Sequence, residues 1–389
     1  MKELIKKILG GFISACVPVD DKLVIFESEG DLSDNSYALY DYMLENHFDE
    51  RYDFVWFVEN TNCQGKPEHT KYVGKKGKIN IIKKIYYLSK CKYYIYDHCN
   101  YFDGLRVRKK ERQMIVDLWH GCGVKSGRFA KEESSADLLL TTGKIFNDAL
   151  SKILGVKKEK IFSIGYPRTD YFYKPLNAAQ IVCRDKFAKY NKVILWMPTF
   201  RRSYNKELDE AYFRSDTGMP ILVNEEDLEQ FDRFLNQMNV LCVLKVHHLQ
   251  AKLPGFRKAF SNIHIVSDEA VKAQGLQLYQ MVALTDCLIT DYSSIATDYM
   301  LLDRPILYTL DDYEAYNKSR CFIFDDCMQY FPGEKAFDKH EFYKGIGNLI
   351  EGKDAYAQER KRINDLFNDC QNGEHCKIIL KKIGIEQTE

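Results

Sequence analysis

The chain lacks a net charge, a Cys-x-x-Cys pair, a Gly-x-Gly-x-x-Gly turn and any long apolar run, and each absence removes a class of protein. Its 56 Lys and Arg balance 56 Asp and Glu, so no overall charge draws it to nucleic acid, and no nucleic-acid partner is expected. None of its 12 cysteines falls in a Cys-x-x-Cys or zinc-type spacing, and Cys242 and Cys287 sit inside apolar strand patterns as small hydrophobes. No apolar stretch is long enough to span a bilayer and no signal peptide is visible, so a reduced, cytosolic protein is expected. The missing glycine fingerprint argues against a dinucleotide oxidoreductase. No internal repeat or low-complexity segment stands out.

What is present is a long alternation of strand and helix patterns. Apolar runs at 23–26, 54–58, 93–96, 114–119, 138–141 and 161–164 are followed by a second series at 193–197, 241–246, 263–266, 287–290 and 306–308. Such alternation predicts parallel sheets with crossover helices, an α/β chain. The 389 residues suffice for two domains with a core each. Pro167 and the stretch 174–178, with Pro175 and Asn177, read as the boundary, which places the domains at 1–175 and 176–389. The polar segment 205–220 reads as a mobile loop beside a ligand crevice, and the tail 355–385 as helices.

Three strand ends carry chemistry. The run Cys287-Leu288-Ile289 passes through Thr290-Asp291-Tyr292 into Ser293-Ser294 and a helical pattern. Two hydroxyls at a helix start, beside unpaired backbone N–H groups, suit an anion such as phosphate, although an ordinary serine cap has the same look. The strand pattern at 114–119 runs into His120-Gly121-Cys122-Gly123-Val124-Lys125. The glycines are read as letting substrate approach the backbone. A third strand ends in Lys245-Val246-His247-His248. Taken singly, each histidine suits a structural role. One in each half of the chain, with a phosphate-type turn, points to a site.

In order and spacing these pieces resemble the CDP-glycerol glycerophosphotransferase family, which builds teichoic acids and related polymers. The resemblance rests on Phe26-Glu27-Ser28 with Ser33-Asp34-Asn35, on Leu118-Trp119-His120-Gly121, and on Gly165-Tyr166-Pro167-Arg168-Thr169-Asp170. It continues through Trp196-Met197-Pro198-Thr199-Phe200-Arg201, Leu244-Lys245-Val246-His247, and Thr290-Asp291-Tyr292-Ser293-Ser294 with Asp298-Tyr299 and Arg304-Pro305. Cys122-Gly123 stands where the family commonly has Thr-Pro, and His248 where it usually has Pro.

The resemblance implies two Rossmann-like domains facing a central crevice, the glycosyltransferase-B architecture. It implies transfer of glycerol phosphate, or a related polyol phosphate, from CDP-glycerol or CDP-ribitol to a hydroxyl of a lipid-linked saccharide or polyol-phosphate acceptor, with release of CMP. His120 is then the base on the acceptor side and His247 the donor-side charge. Ser293 and Ser294 would hold the pyrophosphate, with Asp291, Thr199, Arg201 and Arg304 completing the donor set. Asp291 would orient Ser293 or bond a hydroxyl, and Arg304 would add charge or anchor the turn before Pro305. Asp34, Asn35, Lys125 and Arg168 are assigned to the acceptor side. No cofactor and no metal are expected, because no carboxylate cluster is visible in the sequence.

Two segments bear on location. Leu4, Ile5, Ile8, Leu9, Phe12 and Ile13 recur at helical spacing with lysines between them. From residue 66 to residue 112, fourteen Lys or Arg face four acids. Together they suggest a protein peripheral on the inner face of an anionic membrane, with a solvated helix face as the plain alternative. Other readings of the whole chain are a glycosyltransferase using a nucleotide sugar, or a non-catalytic membrane scaffold. The length, with no long extra domain, fits a single, primase-like transfer.

Overall fold

In a computed structural model the described residues are 11, 13–62, 70–199, 215–246 and 250–386. The chain divides into two compact units. The first comprises residues 1–121, 129–173 and 369–389, and the second residues 122–128 and 174–368.

The sheet of the first unit holds β1 (Asp20–Glu27), β2 (Asp53–Val58), β3 (Thr70–Gly74), β4 (Cys91–Tyr96), β5 (Met114–Asp117), β6 (Leu138–Thr141) and β7 (Ile161–Ser163). Their order is β3-β2-β1-β4-β5-β6-β7, and all neighbours are parallel. The second sheet holds β8 (Lys192–Trp196), β9 (Val240–Leu244), β10 (Ile263–Ile265), β11 (Cys287–Thr290), β12 (Ile306–Thr309) and β13 (Glu334–Ala336). Its order is β10-β9-β8-β11-β12-β13, again all parallel. Helices cover both faces of such sheets, so the central strands are apolar along most of their length, as in the fully buried Val240–Leu244. In each unit the chain steps outward on one side and returns to the other. The reversal falls between β1 and β4, and between β8 and β11. In doubly wound sheets the crevice beyond the carboxyl ends at such a reversal binds ligands.

Two strands escape the sequence pattern, β3 and β13, and both are sheet edges. An edge has one wet side, so Thr70-Lys71-Tyr72-Val73-Gly74 and Glu334-Lys335-Ala336 carry charge in place of an apolar run. The strand expected over 114–119 stops at Asp117. Its carboxylate accepts the Trp119 N–H at 2.9 Å, and Trp119 turns left-handed with φ 53°.

The units also differ from the expected 1–175 and 176–389 division. The main passage comes after Tyr173, close to the expected place. Residues 122–128 belong to the second unit, because Val124 and Ser126 exchange backbone hydrogen bonds with Ile323 and Cys321. Residues 369–389 return to the first unit. There Asp170 accepts the backbone N–H groups of His375 and Cys376, at 3.0 and 2.8 Å, at the start of the helix His375–Lys382. Nδ1 of the buried His375 lies 2.6 Å from the Asp170 carboxylate, and Nε2 lies 3.1 Å from the Cys370 carbonyl. Both ring nitrogens face acceptors, so the ring is an imidazolium. Gly165 makes room for it: with φ +94°, a Cβ there would come within 2.6 Å of the ring.

Burial opposes charge on His375, but the hydrogen bonds to Asp170 and Cys370 outweigh it and raise its pKa to about 10. The folded state therefore holds the proton more tightly than an unfolded chain, whose histidine titrates near the ordinary 6.5. The clamp contributes fully below that value and is lost as pH rises through about 10. His375→Gln should cost roughly 3–5 kcal/mol near neutral pH. Thermal melts should show the gap between wild type and variant shrinking from pH 6.5 to 10; a gap independent of pH would remove the imidazolium.

Candidate functional site

The carboxyl ends of β1, β4 and β5 place the first group of side chains. Nδ1 of His120 lies 3.0 Å from the backbone carbonyl of Asp97, the residue after β4. A carbonyl can only accept, so in the neutral ring Nδ1 carries the proton and Nε2 keeps its lone pair. Burial lowers the His120 pKa below the ordinary 6.5, partly offset by that hydrogen bond and by the Asp34 charge. His120 is thus neutral near pH 7, with a basic nitrogen. The Trp119 ring packs 3.9 Å from it, and the His98 ring 5.6 Å.

The residues assigned to the acceptor side by the sequence converge here, with one exception. Asn35, fully buried, donates from Nδ2 to the Trp119 carbonyl at 2.7 Å and accepts the Arg168 N–H at 3.2 Å. Arg168 Nη1 bonds Asp34 Oδ1 at 2.5 Å. One amide therefore ties the Ser33-Asp34-Asn35, Trp119-His120 and Pro167-Arg168 segments together. The exception is Lys125, which lies in the second unit, in a backbone bridge to Phe322. Its position along the chain suggested the first half; its backbone pairing assigns it to the second.

Asp97 escaped the sequence reading. Its carboxylate is buried and accepts N–H groups of Ser36 (2.9 Å) and Glu29 (3.3 Å). Burial, with Asp34 adding to it, pushes its pKa well above the usual carboxylate range. The signal was available: Tyr96-Asp97-His98 ends an apolar strand much as Leu118-Trp119-His120 does.

In the second unit the carboxyl ends of β8 and β11 are joined by one carboxylate. Asp291, buried, accepts the Thr199 N–H at 3.0 and 2.8 Å and the Ser293 N–H at 3.2 Å. Ser293 and Ser294 are half-buried before the short helix Ile295–Tyr299. Gly123 lies against them, since a Cβ at 123 would stand 3.1 Å from Ser294 Cα. This glycine was expected to admit substrate; it admits the serine turn.

Arg304 stands apart from this group. It precedes β12 and donates to the carbonyls of Ala283 (2.8 Å) and Thr285, at the amino end of the sheet. The anchoring role fits that position, and donor contact does not. Asp286 is also at that end, accepting the Val193 N–H at 2.7 Å, so it does not converge with Asp291. Among the described residues no group of three His, Cys, Asp or Glu is placed to hold a metal ion. Arg201, His247 and His248 lie outside the described residues, as do most of the loop expected at 205–220 and all but Ile13 of the apolar stripe from Leu4.

Comparison with known proteins gives a match between residues 11–384 and the model of the CDP-glycerol:poly(glycerophosphate) glycerophosphotransferases. The chain belongs to this family. It is 25% identical to a teichoic acid ribitol-phosphate primase of Bacillus spizizenii, over 93% of this chain and 92% of the relative. It is 24% identical to a teichoic acid poly(glycerol phosphate) polymerase of Staphylococcus epidermidis, over 93% of this chain but only 50% of the relative. The chain thus spans about half the length of that polymerase. A histidine-to-asparagine variant of the wall teichoic acid polymerase TagF, soaked with CDPG, shares the fold with a TM-score of 0.75 at 21% identity, covering 98% of this chain and 92% of that one.

In this family member the His120 geometry is open to direct test. Nitrogen-15 NMR of histidine-labelled protein should show the Nδ1–H tautomer and a midpoint below 6.5. An Nε2–H tautomer, or titration above that value, would contradict the assignment.

Proposed function

We propose that this chain transfers glycerol phosphate or ribitol phosphate from the CDP-polyol to a hydroxyl of a lipid-linked saccharide or polyol-phosphate acceptor. The observation that carries the reading is the Nδ1 contact of His120 with the Asp97 carbonyl, which leaves Nε2 as a base. The acceptor hydroxyl gives its proton to Nε2 as its oxygen bonds the β-phosphorus. The bond from that phosphorus to the bridging oxygen breaks, and CMP leaves with the electron pair.

The donor belongs with the second unit in this reading. Ser293 and Ser294 are half-buried serines of its carboxyl edge whose hydroxyls, with the N–H groups of the turn, would donate to pyrophosphate oxygens. Asp291 and Thr199 act by holding the turn. His247 and Arg201 would add positive charge. Asp34, Asn35 and Arg168 shape the acceptor side. Strand orders with a central reversal support reading the units as Rossmann-like domains of glycosyltransferase-B type. Transfer is proposed to need no divalent metal, since cationic side chains and N–H donors can balance the phosphate charge.

A lipid-linked acceptor requires the enzyme to work at a membrane surface, and we place it as a peripheral protein on the inner face. Among the described residues no helix is long and apolar enough to cross a membrane.

A single assay with CDP-glycerol, CDP-ribitol and a synthetic lipid-linked acceptor checks these roles. His120→Ala should lower turnover about 10²–10⁴-fold with donor affinity kept. Ser293→Ala and Ser294→Ala should each weaken donor binding by roughly 1–2 kcal/mol. Turnover should persist in EDTA. Near-normal turnover of His120→Ala, or unchanged donor affinity in both serine variants, would remove those assignments; loss of activity on chelation would make the enzyme metal-dependent.

A further inference from the structure

The helix Lys78–Lys90 in the first unit carries apolar side chains on its outer face as well as on its buried one. Its buried residues are Lys84, Ile85, Leu88 and Ser89. Its outer face carries Ile79, Ile82 and Tyr86, which are 72%, 52% and 43% exposed. They are spaced by three and then four residues, so they form one stripe along the helix. Lys84, only 2% exposed, points inward. Its ammonium donates to the Lys75 carbonyl at 2.6 Å and lies 4.0 Å from the centre of the Tyr101 ring, and burial lowers its pKa to about 8. Folding alone favours the reverse, with isoleucine inside and lysine outside.

The surroundings of the stripe are basic. The helix contains no acidic residue. Lys78 and Lys83 are exposed on it, and Lys71 is exposed on the neighbouring edge strand β3. Lys76 is exposed too, paired with Glu59 at 2.9 Å.

We infer that this face docks on an anionic lipid bilayer, with Ile79, Ile82 and Tyr86 entering the headgroup region and the lysines meeting lipid phosphates. The inference rests on the proposed membrane-bound acceptor and names the element that reaches the membrane. An apolar stripe with a lysine rim and an aromatic hydroxyl is the pattern of interfacial helices. A second copy fits less well. Three side chains fall far short of the roughly 800 Å² per partner of a stable interface, and a two-fold axis would set the same lysines against each other.

Flotation of the full-length chain tests this, using vesicles of phosphatidylcholine alone and of phosphatidylcholine mixed equally with phosphatidylglycerol. Wild type should float with the mixed vesicles, less so as salt is raised. Ile79→Ser/Ile82→Ser should lower that partition on the order of tenfold or more. Both side chains are exposed, so its melting temperature and its turnover of a water-soluble acceptor should stay at wild-type values. Lys78→Glu/Lys83→Glu should abolish the preference for the anionic vesicles. If wild type floats and the serine variant floats equally, the inference falls while the membrane reading stands. If wild type floats with neither vesicle, the membrane reading falls and takes the inference with it. A serine variant that melts lower, or that turns a dimer into a monomer, would show the stripe covered by this chain or a second copy and would overturn the proposal.

Discussion

Every strand of both sheets runs parallel to its neighbours, and this constraint governs where the chemistry lies. Parallel strands deliver all their outgoing loops to one edge. The residues after β1, β4 and β5 therefore meet at the carboxyl edge of the first sheet, and those after β8 and β11 at that of the second. Because the strand order reverses at β1/β4 and β8/β11, neighbouring loops part there and leave room. Asp97 and Asp291 stand at these reversals, and each uses buried carboxylate oxygens to tie two loops together through backbone N–H groups. In the first sheet the same residue's carbonyl sets the histidine tautomer. Sheet topology and proton chemistry thus meet within one residue.

Much of this was legible in the sequence because buried strands leave a strong trace. The central strands read as apolar runs, and the histidine and serines at their ends followed. The edge strands β3 and β13 did not, since a half-wet strand needs no such run. The helix Lys78–Lys90 was legible only as lysine-rich; which face turns inward depends on packing, and there Lys84 rather than Ile82 is buried. Lys125 and the terminal helix were assigned by position along the chain. Their true partners, Phe322 and Asp170, are distant in sequence, and no local pattern carries that information.

The motif segments do more than face a substrate. Gly165-Tyr166-Pro167-Arg168-Thr169-Asp170 begins with the glycine under the His375 ring and ends with the carboxylate that receives the terminal helix. Between them, Arg168 reaches Asp34 and its N–H reaches Asn35. The same six residues thus fix the last helix and the loop that carries His120. Gly123 serves the second unit in a comparable way, since only a residue without a side chain fits beside Ser294 without displacing it. Family motifs of this kind combine scaffold and site, and the scaffold share is invisible until the distant partner is located.

The central claim is that the chain breaks the pyrophosphate of its donor and keeps a phosphate on the transferred polyol. Phosphorus-31 NMR of the reaction mixture separates this from sugar-type transfer, in which the nucleoside diphosphate leaves intact. With CDP-glycerol and a hydroxyl acceptor, the pyrophosphate resonances should give way to a CMP monoester signal and a phosphodiester signal of equal size. Release of CDP with its pyrophosphate unbroken, or CMP with no matching phosphodiester, would contradict the account.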